Sequence, residues 1–265
     1  MERITSRENP KIKEYVRLAG NKKDRDQLGL FVIEGKKVCL EAFCEQVNIK
    51  TAFLTRRFLK EHPETAAQAE AVAEETYLIS EEIEAKLTGC KTPQGIFCVC
   101  KKLDKLLDVD TILNKRLLVM LCGVQDPGNL GTVLRTADAF GVDGVILADN
   151  CCDVYSPKVV RSTMGSLLRT PLLWTKDSTE FLRSLHGRVY SAAAVVDRDA
   201  LPMEELRLPV DRPCILCIGS EGSGLSAGTA AACDQRVTIR MRGNAESLNA
   251  AVAAAVLMWE LQKNR

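Results

Sequence analysis

The chain has 265 residues, 46% of them hydrophobic, with 36 Lys or Arg against 35 Asp or Glu for a net charge of +1. That content suffices to bury one large or two modest cores. Met1-Glu2-Arg3 leads into a polar segment rather than a secretory signal, and the longest apolar stretch, Ala250 to Trp259, falls short of the roughly 20 residues that span a bilayer, so a cytoplasmic protein with no membrane partner is expected.

In chain order, Asn9 as N-cap and Pro10 at the first helical position start a short helix carrying Lys11, Lys13 and Arg17. The net charge hides a segregation: residues 1–37 hold ten Lys or Arg against six Asp or Glu, a balance of +4, and residues 61–86 hold eight acids and one Lys, a balance of −7. A basic start suits contacts to phosphates, which set affinity without reading sequence; a solvated charged face is the alternative. Val38 to Ala42, Thr51 to Leu54 and Ile96 to Val99 suggest a small mixed α/β module, and the Lys-, Asp- and Leu-rich stretch Lys101 to Lys115 reads as a linker.

Beyond it, strands are expected at Leu117, Val145, Val189, Cys214 and Val237 with helices between them, the pattern of a mostly parallel sheet. Three strand ends then run into polar or glycine-rich turns. The first, Leu117 to Cys122, is stopped by Gly123 to Gly128, and a helix follows with Asn129 as its N-cap. Leu130, Val133, Leu134, Ala137 and Phe140 recur at helical spacing until Gly141, with Arg135 off that stripe. Ligands of open α/β sheets gather at the strands' carboxyl ends, so Arg135 is either placed to meet an anion or is a solvated surface residue.

The second turn follows Cys214 to Ile218: Gly219, Gly222 and Gly224 permit close backbone approach to a ligand, and Glu221 is the only charge in the loop. Neither G-x-G-x-x-G nor G-x-x-x-x-G-K-[ST] occurs, which removes the support for a dinucleotide-binding oxidoreductase or a Walker-type phosphate loop. The third joins the strand Val237 to Met241 to a final helix with Leu248, Val252, Ala255, Val256 and Trp259 at helical spacing. Ser247 and Asn249 are expected in its first turn, as caps or as site residues near the free N–H groups. The small residues of Ala250 to Ala255 permit close packing, within the fold or across a subunit interface.

Eleven cysteines invite a metal or disulfide reading, but Cys214-x-x-Cys217 and Cys98-x-Cys100 lie in strand-like runs. There is no second C-x-x-C, and His62 and His186 are the only histidines. Reduced, buried thiols and no metal are expected, and a His-dependent triad is disfavoured.

Taken together, N-L-G-T-V-L-R at Asn129 to Arg135, I-G-S-E-G-S-G-L at Ile218 to Leu225 and E-S-L-N-A-A-V-A-A-A at Glu246 to Ala255 resemble the three motifs of the SpoU/TrmH-type RNA 2′-O-methyltransferases, within the SPOUT superfamily. S-P-K-V-V-R-S-T-M-G-S-L-L-R at Ser156 to Arg169 also resembles the family, as do I-T-S-R-E-N-P-K-I-K at Ile4 to Lys13, F-V-I-E-G-K at Phe31 to Lys36 and K-T-P-Q-G-I at Lys91 to Ile96. The resemblance implies an α/β fold whose C-terminal part is a trefoil-knotted SPOUT domain, preceded by a small ribosomal-protein-like α/β RNA-binding domain. The domains expected are 1–104 for RNA substrate binding, 105–115 as linker and 116–265 for methyl transfer. Periodicity cannot reveal the knot, because knots are nearly absent from folds in general.

The same resemblance implies S-adenosyl-L-methionine as cofactor, held by backbone around Gly219, Ile239, Met241 and Leu248, and a homodimer formed through the knotted region. It implies catalysis centred on Arg135, with Asn129, Glu221, Ser247 and Asn249 positioning the Arg, the ribose and the cofactor. One departure is visible: Arg240 stands where the family often has Pro. Family descriptions often make the arginine a general base, but with the ordinary arginine pKa near 12.5 a neutral guanidinium at pH 7 costs about 7 kcal/mol. A charged Arg135 that clamps the adjacent phosphate and stabilises the developing alkoxide fits better. The expected substrate is RNA, ribosomal RNA rather than tRNA given the flanking module. The competing reading, a non-catalytic RNA-binding or ribosome-assembly protein on the same fold, is disfavoured because Arg135, Glu221, Ser247 and Asn249 are all retained.

Overall fold

The computed structural model describes residues 1–103 and 107–263. The chain runs β1 (Glu2–Ile4), α1 (Pro10–Gly20), α2 (Lys22–Leu28), β2 (Leu30–Glu34), α3 (Lys36–Cys44), β3 (Ile49–Thr55), α4 (Arg56–Glu61), α5 (Pro63–Val72), β4 (Ala73–Ile79), α6 (Glu81–Leu87) and β5 (Ile96–Lys101). It continues with α7 (Val109–Ile112), β6 (Leu117–Cys122), α8 (Pro127–Ala139), β7 (Gly144–Ala148), α9 (Pro157–Thr163), β8 (Leu172–Trp174), α10 (Ser178–Ser184), β9 (Tyr190–Ala194), β10 (Leu201–Pro202), β11 (Cys214–Gly219), α11 (Ala227–Ala232), β12 (Gln235–Thr238) and α12 (Ala250–Lys263). Two compact units result: Met1–Asp104 with Asp153–Arg169, and Lys105–Cys152 with Thr170–Arg265. Residues 105 and 106 of the expected linker lie outside the described residues. Its described part carries α7, whose first turn is capped by Asp108 accepting from Thr111 N at 2.7 Å.

The first unit is a mixed sheet in the order β1-β4-β3-β5-β2, with β5 antiparallel to both its neighbours. Strands β2, β3 and β5 are apolar on both faces, so each face needs a cover. The apolar stripe of α1 (Ile12, Tyr15, Leu18) and Ile83 of α6 close one face over Phe53, Phe97 and Val32. Tyr15 sets its ring edge-on to Phe53 and Phe97, with centroids 6.1 and 5.9 Å away. Asn9 caps α1 as expected, accepting from Lys11 N at 2.9 Å. Part of the basic start is occupied by ion pairs: Lys11 with Glu75, Lys13 with Glu8, Arg17 with Asp24 at 3.6 Å, and the buried Arg25 with Asp153 at 2.6 Å.

The second unit is a seven-stranded parallel sheet in the order β10-β12-β9-β11-β6-β7-β8, as the alternating pattern predicts. Strands β8 and β10, at three and two residues, are too short to leave a periodic signal in the sequence. Leu118, Met120, Ile146, Ile215 and Cys217 share one buried cluster, and all six residues of β6 are buried, as befits a strand covered on both faces.

Three local expectations change. Asp126, not Asn129, caps α8: its Oδ1 accepts from Asn129 N at 2.8 Å, because Pro127 is suited to the first helical position and moves the helix start three residues upstream. The strand expected at Val237 to Met241 ends at Thr238, and residues 239–249 form an irregular loop. Asn249 is the N-cap of α12, its Oδ1 accepting from Ala251 N at 2.9 Å and Val252 N at 3.3 Å, while Ser247 lies in the loop before the helix. The apolar stripe of α12 singled out by spacing is its open face. Val252 and Trp259 are each 50% exposed, whereas Ala251, Ala254, Leu257, Met258 and Leu261 are buried.

Candidate active site

The carboxyl ends of β9, β11 and β12 lie together at one edge of the parallel sheet, where ligands of open α/β sheets collect. The segments that follow them, 194–196, 218–225 and 237–248, line a cavity of about 460 Å³. Gly219, Ile239, Met241 and Leu248, the four residues expected to hold the cofactor, all line it, and so do Glu221 and Ser247. The need for Gly219 is more local than ligand approach. A Cβ there would lie 2.0 Å from the Gly224 carbonyl carbon and 2.2 Å from Leu225 N, so its absence lets the loop fold back on itself. The Ser220–Gly224 backbone pair closes that fold, with Gly224 at φ +66°.

At the rim, the three sequence clusters are joined by side chains. Asn249 Nδ2 donates to Asn129 Oδ1 at 3.0 Å, and Asn129 Nδ2 donates to a carboxylate oxygen of Glu221. The direction of the chain is fixed at both ends. Asn249 spends its carbonyl oxygen on capping α12, which leaves its amide as donor, and the ionised Glu221 carboxylate can only accept. The capping of α8 by Asp126 is what frees the Asn129 side chain for this link.

The cavity's charges are acidic. Glu221 and Glu246 line it, and among the described residues no Lys, Arg or His does. Leu225, Ile239, Met241 and Leu248 give apolar surface, and the hydroxyls of Ser220 and Ser223, 2.9 Å apart, give polar surface. Arg135 is not among the lining residues. It is exposed on α8, and its side chain makes no hydrogen bond or ion pair with another described residue. By helical spacing it shares its face with Thr132 and Gly128 rather than with Asn129, and helical side chains lean toward the helix N-terminus, here the carboxyl edge of the sheet. Arg240 turns to Glu205, at 3.2 Å, while its neighbours Ile239 and Met241 line the cavity, so the exchange of Pro for Arg at this position leaves the lining intact.

Sequence reasoning missed the segment Ala194–Val196 and Glu246. The signal for the first was available, since a loop that follows a parallel strand belongs to the ligand edge. Cys98, Cys100, Cys214 and Cys217 are buried in strands, as expected, and burial pushes the Cys100 thiol well above its ordinary pKa. Among the described residues no helix is long and apolar enough to cross a membrane.

Residues 116–259 match the SpoU rRNA Methylase family, and residues 9–98 match the MRM3-like substrate binding domain. The chain is 30% identical to the 23S rRNA (guanosine(2553)-2′-O)-methyltransferase RlmP of Bacillus subtilis, over 99% of this chain and 100% of the relative. It is 29% identical to a 23S rRNA (uridine(2479)-2′-O)-methyltransferase of Streptomyces viridochromogenes, over 99% and 92% of the two chains. The crystal structure of an AdoMet-bound rRNA methyltransferase from Sinorhizobium meliloti superposes with a TM-score of 0.86 at 28% identity, covering 99% of this chain and 97% of that one.

Proposed function

The chain belongs to the SpoU rRNA methylase family, and on that premise we propose that it transfers the methyl group of S-adenosylmethionine to a ribose 2′-hydroxyl of ribosomal RNA. The observation that carries this reading is the Asn249–Asn129–Glu221 chain, which ties three motifs far apart in sequence to the rim of one cavity. The residues present fit the cofactor. At about 460 Å³ the cavity is within the roughly 300–1,000 Å³ of small-molecule sites. Two carboxylates without a lining cation suit a ligand bearing a sulfonium and an ammonium, and the apolar residues suit an adenine face. When bound, S-adenosylmethionine supplies an electrophilic methyl group.

The chain's own residues then have little chemistry to do beyond orientation. Glu221 and Asn249 hold the Asn129 amide in one orientation at the rim, and Ser247 presents a hydroxyl to the cavity. Arg135, charged and unpaired, holds the phosphate next to the target ribose and stabilises the oxygen as its proton leaves for solvent. Residues 1–104 serve as the RNA substrate-binding domain, 105–115 as the linker and 116–265 as the methyltransferase domain, knotted as a trefoil. Two copies pair through the open apolar face of α12, where Val252, Val256 and Trp259 are exposed together, and the enzyme works in the cytoplasm. Two relatives named for 23S targets support ribosomal RNA over tRNA.

The test is methyl transfer from labelled S-adenosylmethionine to unmodified total RNA, followed by alkaline hydrolysis, with the Arg135→Ala protein in parallel. A 2′-O-methyl group blocks attack by the neighbouring hydroxyl, so label is expected in RNA of ribosomal size and, after hydrolysis, in alkali-resistant dinucleotides, appearing about 10²–10³ times more slowly with the variant. Label in mononucleotides would mean base methylation. No label despite cofactor binding would favour a non-catalytic RNA-binding protein.

A further inference from the structure

Three sequence segments take no part in the methyl-transfer site: Phe31 to Lys36, Lys91 to Ile96 and Ser156 to Arg169. In the first unit they converge on one cavity of about 160 Å³, to which they contribute Glu34 and Gly35, Thr92 and Gln94, and Arg161 and Met164. Resting on the reading of the protein as an RNA methyltransferase, we propose that this cavity takes one unstacked nucleobase of the RNA substrate and so helps select the nucleotide to be methylated.

The wall is a built one. Glu34, its side chain only 8% exposed, accepts from Arg161 Nη1 at 2.7 Å, from Gly89 N at 3.0 Å and from Cys90 Sγ at 2.9 Å. Its charge is thereby engaged, and the loop carrying Cys90, Thr92 and Gln94 is pinned against β2 and α9. Gln94 Oε1 accepts from Lys36 N at 2.7 Å, and its NH₂ group has no partner among the described residues. Lys37, also lining the cavity, is exposed and likewise unpaired. Met164 is held at φ +53° and the next residue, Gly165, at φ +101°, a backbone that L side chains rarely adopt and that brings an exposed thioether to the cavity.

Size and chemistry choose the occupant. The volume lies below the roughly 300–1,000 Å³ of cofactor and drug-sized sites, so it admits one ring system and not a nucleoside cofactor. Val38 and the exposed Met164 offer apolar surface to a ring face. The Gln94 amide and the Lys37 ammonium offer donors to the carbonyl edge and the phosphate of an unstacked nucleotide, the element by which single-stranded RNA is read. The relatives from Bacillus subtilis and Streptomyces viridochromogenes are named for different 23S nucleotides, so within this family the target can change while the chemistry stays the same.

The experiment is an abasic scan of an unmodified RNA fragment that the protein methylates, run on the wild type and on Thr92→Trp, which fills the mouth of the cavity from an exposed position. At one nucleotide, removal of the base is expected to raise the wild-type KM for RNA about tenfold, within what docking one base contributes. For Thr92→Trp the KM is already raised about as much, and the abasic change there adds nothing, with S-adenosylmethionine affinity and kcat at saturating RNA unchanged. A second measurement needs no variant: saturating RNA is expected to slow maleimide labelling of Cys90 at least tenfold while leaving the exposed Cys44 unaffected. If every abasic penalty is the same in both proteins, or Cys90 labels equally fast with RNA bound, the proposal falls and the methyltransferase reading stands. If wild-type protein methylates no RNA at all, it is that reading that fails.

Discussion

In the first unit the buried Arg25 is held by Asp153 at 2.6 Å and by the backbone carbonyl of Leu18, whereas in the second unit Arg135 stands exposed with no partner among the described residues. The contrast recurs. Arg161 with Glu34 and Arg169 with Glu41 are closed pairs in the first unit, while Glu221 in the second is held, among the described residues, by a neutral amide at the edge of an acidic cavity. A guanidinium committed to a carboxylate and a carbonyl is part of the architecture. One left with its five donors unspent is available to a ligand, and the proposed chemistry requires such a group.

This difference can be broken by exchanging the effects of the two arginines. Arg25→Ala, or Asp153→Ala, leaves a buried charge uncompensated and is expected to destabilise the protein by about 3–5 kcal/mol, read by chemical denaturation, with turnover per folded molecule retained. Arg135→Ala is expected to leave the melting temperature unmoved and to lower kcat by about 10²–10³, the range seen when one donor to a developing oxyanion is lost. A fall in stability for Arg135→Ala would erase the distinction. Arg135→Lys, which keeps the charge and loses the planar fork, is expected to fall between. Near-normal turnover with a shifted pH profile in that variant would count against the clamp.

What was legible in the chain divides along similar lines. Parallel strands β6, β7 and β11 are legible as apolar runs, because strands covered on both faces can carry little else. The site residues were legible only as a resemblance. Asn129 reads as an N-cap by residue type, and only the fold shows that Asp126 has taken that role and left the Asn129 amide for Glu221, 92 positions away. Which face of α12 is open was not legible for a related reason. Helical spacing locates an apolar stripe but not the side on which the protein lies, and a helix rich in alanine and large apolar residues has two. Nor could charge counting show that Lys11, Lys13 and Arg25 of the basic start are held by Glu75, Glu8 and Asp153.

A finer cut concerns Asn249, which caps α12 through its oxygen and supports Asn129 through its nitrogen. Asn249→Asp keeps an acceptor for Ala251 N and removes the donor. Its stability is expected to stay within about 0.5 kcal/mol of wild type, with turnover lowered about tenfold by loss of one hydrogen bond. Asn249→Ala loses both functions, and about 1 kcal/mol of stability should go with the activity. If the Asp variant were fully active, the amide chain would be packing rather than positioning.

The smallest expected effect tests the closed half of the comparison. The Lys102 ammonium, 2.5 Å from Asp26, lowers the carboxyl's pKa from its ordinary value, against a smaller opposing effect of burial. A carboxyl whose pKa is lower folded than unfolded stabilises the fold above its unfolded pKa, and that contribution disappears as pH falls through the folded value. Lys102→Met is therefore expected to melt below wild type at pH 7, by no more than the ~0–1 kcal/mol of a solvent-screened pair, and the two curves should converge in acid. A gap that stayed constant down to the acid limb would mean that the Lys102 side chain acts by covering the Tyr155 ring, 5.1 Å from its ammonium, and not through its charge on Asp26.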